Sequence, residues 1–143
     1  MNSDLPPPLL IRRMAAIMYD SLLLCGVLFM AGVPLLLIPD GVRDGSWTIE
    51  LVIQVYLVLV CLIFFGWFWT HGGQTLGMRA WRLRVVHSSG SSIGWRSASI
   101  RFFSAILSWT ILGMGFWWSI FDREKLAWHD HLSGTKLIRL PKT

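Results

Sequence analysis

The stretch SASIRFFSAILSWTILGMGFWWSIF, residues 97–121, decides the fold. As one unbroken helix it would be about 37 Å long, enough to cross a hydrocarbon core of about 30 Å. It also holds Arg101 near its start and Gly-Met-Gly at 113–115. Two readings follow. A single span carries everything after residue 121 to the far side of a bilayer. A helical hairpin, broken at Gly113–Gly115, returns the chain to the side it came from, and re-entrant backbone is tolerated where protein covers it.

The flanking charge favours the hairpin. Segment 71–101 contains Arg79, Arg82, Arg84, Arg96 and Arg101 and no acid. The tail, 122–143, contains Arg123, Lys125, Lys136, Arg139 and Lys142. Lys and Arg near apolar segments mark the cytoplasmic side, so the loop and the tail claim the same face. Length favours the span. The hairpin is the preferred reading, and it lets a strand near 135–140 pair with one near 82–86, where Trp81, Leu83 and Val85 alternate with arginines.

Two further apolar runs precede this one. Residues 14–38 and 49–70 have lengths of about 37 Å and 33 Å as helices, and each suits one crossing. Pro34 is placed to kink the first. Trp47, Trp67 and Trp69 stand at the ends of the second, as in interfacial belts. Between the runs, residues 39–47 form a polar turn with Arg43 as its single basic residue. Residues 1–10, with three consecutive prolines, read as a flexible arm. The first run is too long for the core of a signal peptide, and no small-residue cleavage site closes it.

Composition agrees. The 143 residues are one domain's worth, 54% hydrophobic and 15% charged, with nine Trp and eight Phe. The expected fold is an all-α membrane protein. It is a small bundle of two transmembrane helices and a third apolar helical segment (full span or Gly-broken hairpin), with a short cytoplasmic β-pair. The N-terminus and the basic loop 71–96 face the cytoplasm, so the chain is a multi-pass protein of the cell (inner) membrane. The net charge of +5 belongs to residues flanking lipid, and the partner it implies is the bilayer rather than nucleic acid. Cys25 and Cys61 lie in apolar runs as buried thiols, with no disulfide or metal-type spacing.

Ionisable residues inside such a chain are functional candidates. Arg13 and Asp20 are seven residues apart and share one helix face, with the small Ala16 between them. An unpaired acid in lipid costs up to about 2.5–3.5 kcal/mol. Arg101 is the candidate partner of Asp20, with Ser104, Ser108, Thr70 and His71 as supporting groups. Asp20 is either an ion or proton site or a packing latch between the first and third segments. Asp130, in LAWHDHLSGT (126–135), lies between two histidines. Adjacent helical residues point apart, so no metal set is read there. A capping carboxylate paired with Arg13 or Arg12 is preferred.

These blocks resemble the RDD family of small, mostly bacterial membrane proteins. RRMAAIMYD (12–20) is similar to its opening, with Arg13 as the arginine and Asp20 as the first aspartate. GQTLGMRAWRLRVV (73–86) resembles its central loop, with Met78 where a lysine is usual, and FDREKLAWHDHLSGTKLI (121–138) its closing motif, with Asp130 as the second aspartate. The resemblance implies transport of ions or small ligands, including sodium/proton exchange, for a family whose function is largely unassigned.

Two function classes follow. One is transport or exchange of a small cation, proton or small ligand through the membrane-embedded Asp20, in a homo-oligomer, since two or three helices are too few to enclose a pathway. The alternative is a scaffold that holds another membrane protein through its basic face. No nucleophile–base pair or paired carboxylates are present, so the chain does not read as an enzyme, and no cofactor is expected.

Overall fold

The computed structural model describes residues 7–43, 46–111, 113–123 and 125–141. Most of the arm read over 1–10, and part of the polar turn 39–47, lie outside them. Helix α1 (Leu10–Gly32) starts four residues earlier than the apolar run suggested, with Leu9, the residue after Pro8, as its N-cap. It tightens into a 3₁₀ turn, Val33–Leu37, with Pro34 in its first turn. Proline lacks the N–H that an α-helix would use there, so the tighter winding takes the place of a sharp kink. A short helix, α2 (Asp40–Arg43), interrupts the polar turn, and α3 (Trp47–Thr70) runs back along α1.

Two helices, Leu10–Leu37 and Trp47–Thr70, are long and apolar enough to cross a membrane. Of α1, only Arg13, Ala16 and Asp20 are buried; of α3, only Gly66 and Trp69. Every buried position therefore lies at one end of the pair. The rest presents large apolar side chains outward, among them Leu22, Phe29, Leu37, Val52 and Ile63. Faces this apolar and this wide mark contact with lipid or with another chain. Cys25, read as buried, is exposed on this flank. Trp69, read as an interfacial anchor, is instead packed inside, stacked on Phe65 at 5.4 Å.

The remaining elements gather around the buried end. Helix α4 (Leu76–Ala80) packs on α1 and leads into β1 (Leu83–His87). The third apolar segment forms two helices, α5 (Trp95–Thr110) and α6 (Met114–Phe121), that contact each other. Gly113 sits between them at φ 70° and ψ 13°. That left-handed conformation is costly for residues with a Cβ, so the glycine makes the reversal possible. With α5 about 24 Å and α6 about 12 Å long, neither matches a bilayer core of about 30 Å. Helix α7 (Trp128–Ser133) packs against α5, and β2 (Thr135–Arg139) pairs antiparallel with β1, Leu83 opposite Arg139 and His87 opposite Thr135. The third segment is thus a hairpin, and the tail ends beside the loop that precedes it. Ala16, Trp69, Leu83, Val85, Ile93, Ala98, Phe102 and Leu137 form the core of this end.

Candidate functional site

Asp130 organises the buried end. It sits at the third position of α7 and reaches back to accept a hydrogen bond from the Ala127 N–H at 2.9 Å. A carboxylate there satisfies an orphan donor of the first turn and suits the positive end of the helix. One of its oxygens also accepts from Arg13 Nη1 at 3.2 Å, and the other is bound by Arg101 Nη1. All three residues are at least 96% buried, with exposures of 4% for Arg13, 3% for Arg101 and 1% for Asp130. Buried charges of this kind persist only when paired and hydrogen-bonded. The remaining donors are largely matched. Arg13 Nη2 donates to the Lys125 carbonyl at 2.7 Å, and Arg101 Nη1 to Thr135 Oγ1 at 2.8 Å. Ser133 and Thr135 hydroxyls share a 2.6 Å bond behind it. Arg101 also lies over the Trp69 ring, 5.3 Å from its centre, a favourable cation–aromatic arrangement.

Burial works against the negative charge of Asp130, but Arg101, Arg13 and the Ala127 N–H outweigh it, holding the carboxyl well below its usual range. His129 responds in the opposite sense. Its ring is pushed down to about 3, first by burial and further by Arg101 and Arg13, with Asp130 opposing. It is therefore neutral at physiological pH. His131 turns away and faces Asp122, with 3.4 Å between Nε2 and Oδ2. Among the described residues no three potential metal ligands come together.

Asp20 is satisfied differently. The expected Arg101 partner does not reach it, because Arg101 is committed to Asp130 and α5 packs on α3 and α7 rather than on α1. Its two oxygens instead take the Thr75 hydroxyl and the Gly77 N–H, the latter at 2.8 Å. Thr75 is the N-cap of α4, its Oγ1 accepting from the Met78 N–H at 3.2 Å. The carboxylate therefore sits against the first turn of α4. Gly77 allows this approach. A Cβ there would lie 2.4 Å from the Ala16 carbonyl oxygen and 2.8 Å from the Asp20 carboxyl. Ala16 leaves the room on the other side.

The four supporting residues are elsewhere. Ser104 Oγ bonds its own helix at the Ile100 and Arg101 carbonyls. Ser108 packs against Gly115, where the hairpin closes. Thr70 Oγ1 caps the end of α3 on the Gly66 carbonyl at 2.7 Å, and His71 stacks on Trp67 with ring centres 3.9 Å apart. None of them meets Asp20.

The two polar sites border one cavity of about 180 Å³ between α1, α3 and α5. Arg13 and Asp20 line it from α1, Arg101 from α5, and Phe65, Trp69 and Phe102 supply apolar walls. The exposed side chains Ser21, Ile106 and Trp109 stand at its outer edge, so it opens on the apolar flank.

The model of the RDD family matches residues 7–134, which include both polar sites. The chain belongs to the RDD family. No curated protein and no solved structure matches it. In this RDD protein the arginine and the two aspartates taken from the sequence motifs are Arg13, Asp20 and Asp130. Two of them, Arg13 and Asp130, meet directly, and Asp20 stands apart on α1, held against the first turn of α4. Sequence reasoning missed Thr75 and Gly77. The signal was the GQTLG block, in which a capping threonine followed two residues later by glycine presents a hydroxyl and an unobstructed N–H side by side.

Proposed function

We propose that this RDD protein is a multi-pass protein of the inner membrane, with its N-terminus, basic loop and tail on the cytoplasmic side. We propose further that it binds a small solute in the cavity between α1, α3 and α5 and exchanges it across the bilayer as a homo-oligomer. The observation that carries the reading is the cavity itself. Charged groups of both signs, Arg13, Asp20 and Arg101, line its inner part, while its mouth lies among apolar side chains. Pockets of this make-up, mostly apolar with a few convergent polar groups, are where small ligands bind. The form with Asp20 as a bare cation site is less favoured, because both of its oxygens already hold protein donors. Two crossing helices are too few to enclose a pathway, which is why the exchange needs a second copy. The topology rests on the Lys and Arg of the loop and tail, brought to one end by the pairing of β1 with β2.

The test is reconstitution into liposomes with a screen of small-solute and cation flux, alongside tags at both termini probed from each side. Flux should appear, both tags should report the cytoplasmic face, and Asp20→Asn should alter the flux. A scaffold reading stands beside this one because Arg79, Arg82 and Arg96 are exposed and make no ion pair among the described residues. Co-purification of another membrane protein, lost when Arg79, Arg82 and Arg96 are changed to Gln and accompanied by no flux, would favour it.

A further inference from the structure

The charges around the cavity between α1, α3 and α5 balance, Arg13 and Arg101 against Asp20 and the neighbouring Asp130. A second cavity, of about 260 Å³, has no such balance. It lies where α3 ends, bordered by Thr70, the Gly72–Gly73 turn, Arg84 on β1 and the loop that holds Gly90, Ser91 and Ser92. None of the residues lining it is acidic, and the sequence holds no Asp or Glu between Glu50 and Asp122. Arg84 forms no ion pair and no side-chain hydrogen bond among the described residues. This cavity therefore carries one cation with no counter-charge.

The arginine stem lies along the glycine turn, since a Cβ on Gly73 would stand 3.2 Å from Arg84 Cγ. Arg84 Nε is enclosed there, while the two terminal nitrogens, bound by no protein group, stay accessible. Nothing lies within 4 Å of the Cβ positions of Gly72 and Gly90, so the backbone on both sides leaves room for a bulky group. Ser91 and Ser92 are exposed and bring hydroxyl donors to the rim. A planar fork of N–H donors beside hydroxyls matches a tetrahedral oxyanion. The depth narrows the choice. Thr70 is the last residue of a helix long and apolar enough to cross a membrane, and the end of a span is the level of the headgroups, where phosphate is the anion that phospholipids present. Arg82 and Arg96, exposed on the same loop, favour a headgroup of net negative charge. We propose that this cavity binds a phosphate group, that of an anionic phospholipid or free phosphate, with Arg84 as its cation and Ser91 and Ser92 as hydroxyl donors. The site is separate from the cavity between α1, α3 and α5 and does not depend on what that cavity carries.

The experiment uses the purified full chain in a neutral maltoside detergent, with native mass spectrometry to count bound molecules. The probes are dihexanoyl phosphatidylglycerol, dihexanoylglycerol (the same chains without the phosphate) and inorganic phosphate. The phosphatidylglycerol should bind saturably, one per chain, with dihexanoylglycerol at least about 10-fold weaker, the difference one charge-assisted hydrogen bond makes. Displacement by inorganic phosphate at equal concentration would name free phosphate as the source, and displacement only at large excess the lipid headgroup; either result upholds the site. Arg84→Gln should weaken phosphatidylglycerol about 10-fold, and Arg84→Lys, which keeps the charge without the fork, should recover part of that loss. Arg82→Gln, outside the cavity, should change binding by no more than about twofold, the small effect of an exposed charge. Ser92→Phe, at the rim, should exclude the headgroup; it provides the test if Arg84→Gln fails to fold. Dihexanoylglycerol binding as tightly as the phospholipid, no saturable binding of either phosphate probe, equal losses in Arg82→Gln and Arg84→Gln, or full binding in Ser92→Phe would overturn the proposal. None of these results touches the small-solute reading, which stands or falls on the liposome screen.

Discussion

Asp20 and Asp130 are almost equally hidden, with exposures of 3% and 1%, yet the regions around them solve the same problem by different means. Around Asp130 the solution is charge: two arginines from α1 and α5 converge on one carboxylate at the start of α7. Around Asp20 it is dipoles: a hydroxyl and a backbone N–H from the first turn of α4. A charge-paired acid cannot be neutralised without stranding its partners. A dipole-solvated one leaves only neutral groups behind. The α7 region is therefore the lock of the fold, while the α4 region holds its acid by dipoles alone.

The comparison breaks or holds first on Asp130→Asn. That change keeps the shape and leaves Arg13 and Arg101 facing a neutral amide in a buried site. Removing one partner of a buried ion pair costs about 3–5 kcal/mol. Denaturant unfolding in detergent micelles should show a loss of that order, with α1, α5 and α7 detaching together. A loss below that for Asp20→Asn would contradict the assignment of the lock.

Gly77→Ala comes next. The added methyl would press on the Ala16 backbone, which cannot rotate away, and forced overpacking typically costs about 1–3 kcal/mol. It should also push α4 off α1 and take the Asp20 hydrogen bonds with it. The readout is faster hydrogen exchange at the Gly77 amide position relative to the β1–β2 amides. Equal exchange at both would mean that α4 does not depend on this contact.

Acidity distinguishes the two regions further. His129 has an ordinary value of 6.5 when unfolded and is pushed down to about 3 in the fold. The unfolded chain thus takes up the proton first, so the stability held by the neutral ring is complete above about 6.5 and is lost as pH falls toward about 3. Between pH 7 and pH 5 the loss should be about 2 kcal/mol. Asp130, also held below its usual range, adds a loss of the same sign at lower pH. His129→Gln should flatten the slope of stability between pH 7 and pH 5. An unchanged slope would place the titrating group elsewhere.

Much of this was legible in the residues. The seven-residue spacing of Arg13 and Asp20 with Ala16 between them described the one buried face of α1. The charge shared by loop and tail, with the glycines at 113–115, pointed to the hairpin over a single span. The alternation at 81–86 pointed to the strand that β2 joins. What could not be seen was which acid takes which cation. Charge alone made Arg101 attractive to Asp20, but partner choice depends on which helices pack, and α5 lies on α7. The groups that do serve Asp20 carry no charge. One is a backbone N–H, which every residue but proline has, and it becomes a site only because Gly77 lets α4 come close. Trp69 was obscured for a related reason, since the same amphipathic ring suits an interface or an interior.

The smallest effect is the sharpest test. Asp20→Asn keeps a carbonyl oxygen for the Gly77 N–H, and Thr75 Oγ1 can turn to accept from the new amide instead of donating. What is lost is the charge assistance of two hydrogen bonds, offset by easier burial of a neutral group, for a net of about 1 kcal/mol. Thr75→Val removes the hydroxyl both from the carboxylate and from the Met78 N–H. In that background Asp20→Asn should cost less than it does alone, because the bond it would weaken is already absent. A double-mutant cycle measures that coupling. Zero coupling would mean that the Thr75 hydroxyl does not help to hold the carboxylate. A large coupling, together with a ligand-dependent change in the protection of the Thr75–Met78 turn, would join the stability of this turn to occupancy of the cavity that Asp20 borders, and such coupling has no counterpart at Asp130, whose oxygens are committed to the fold.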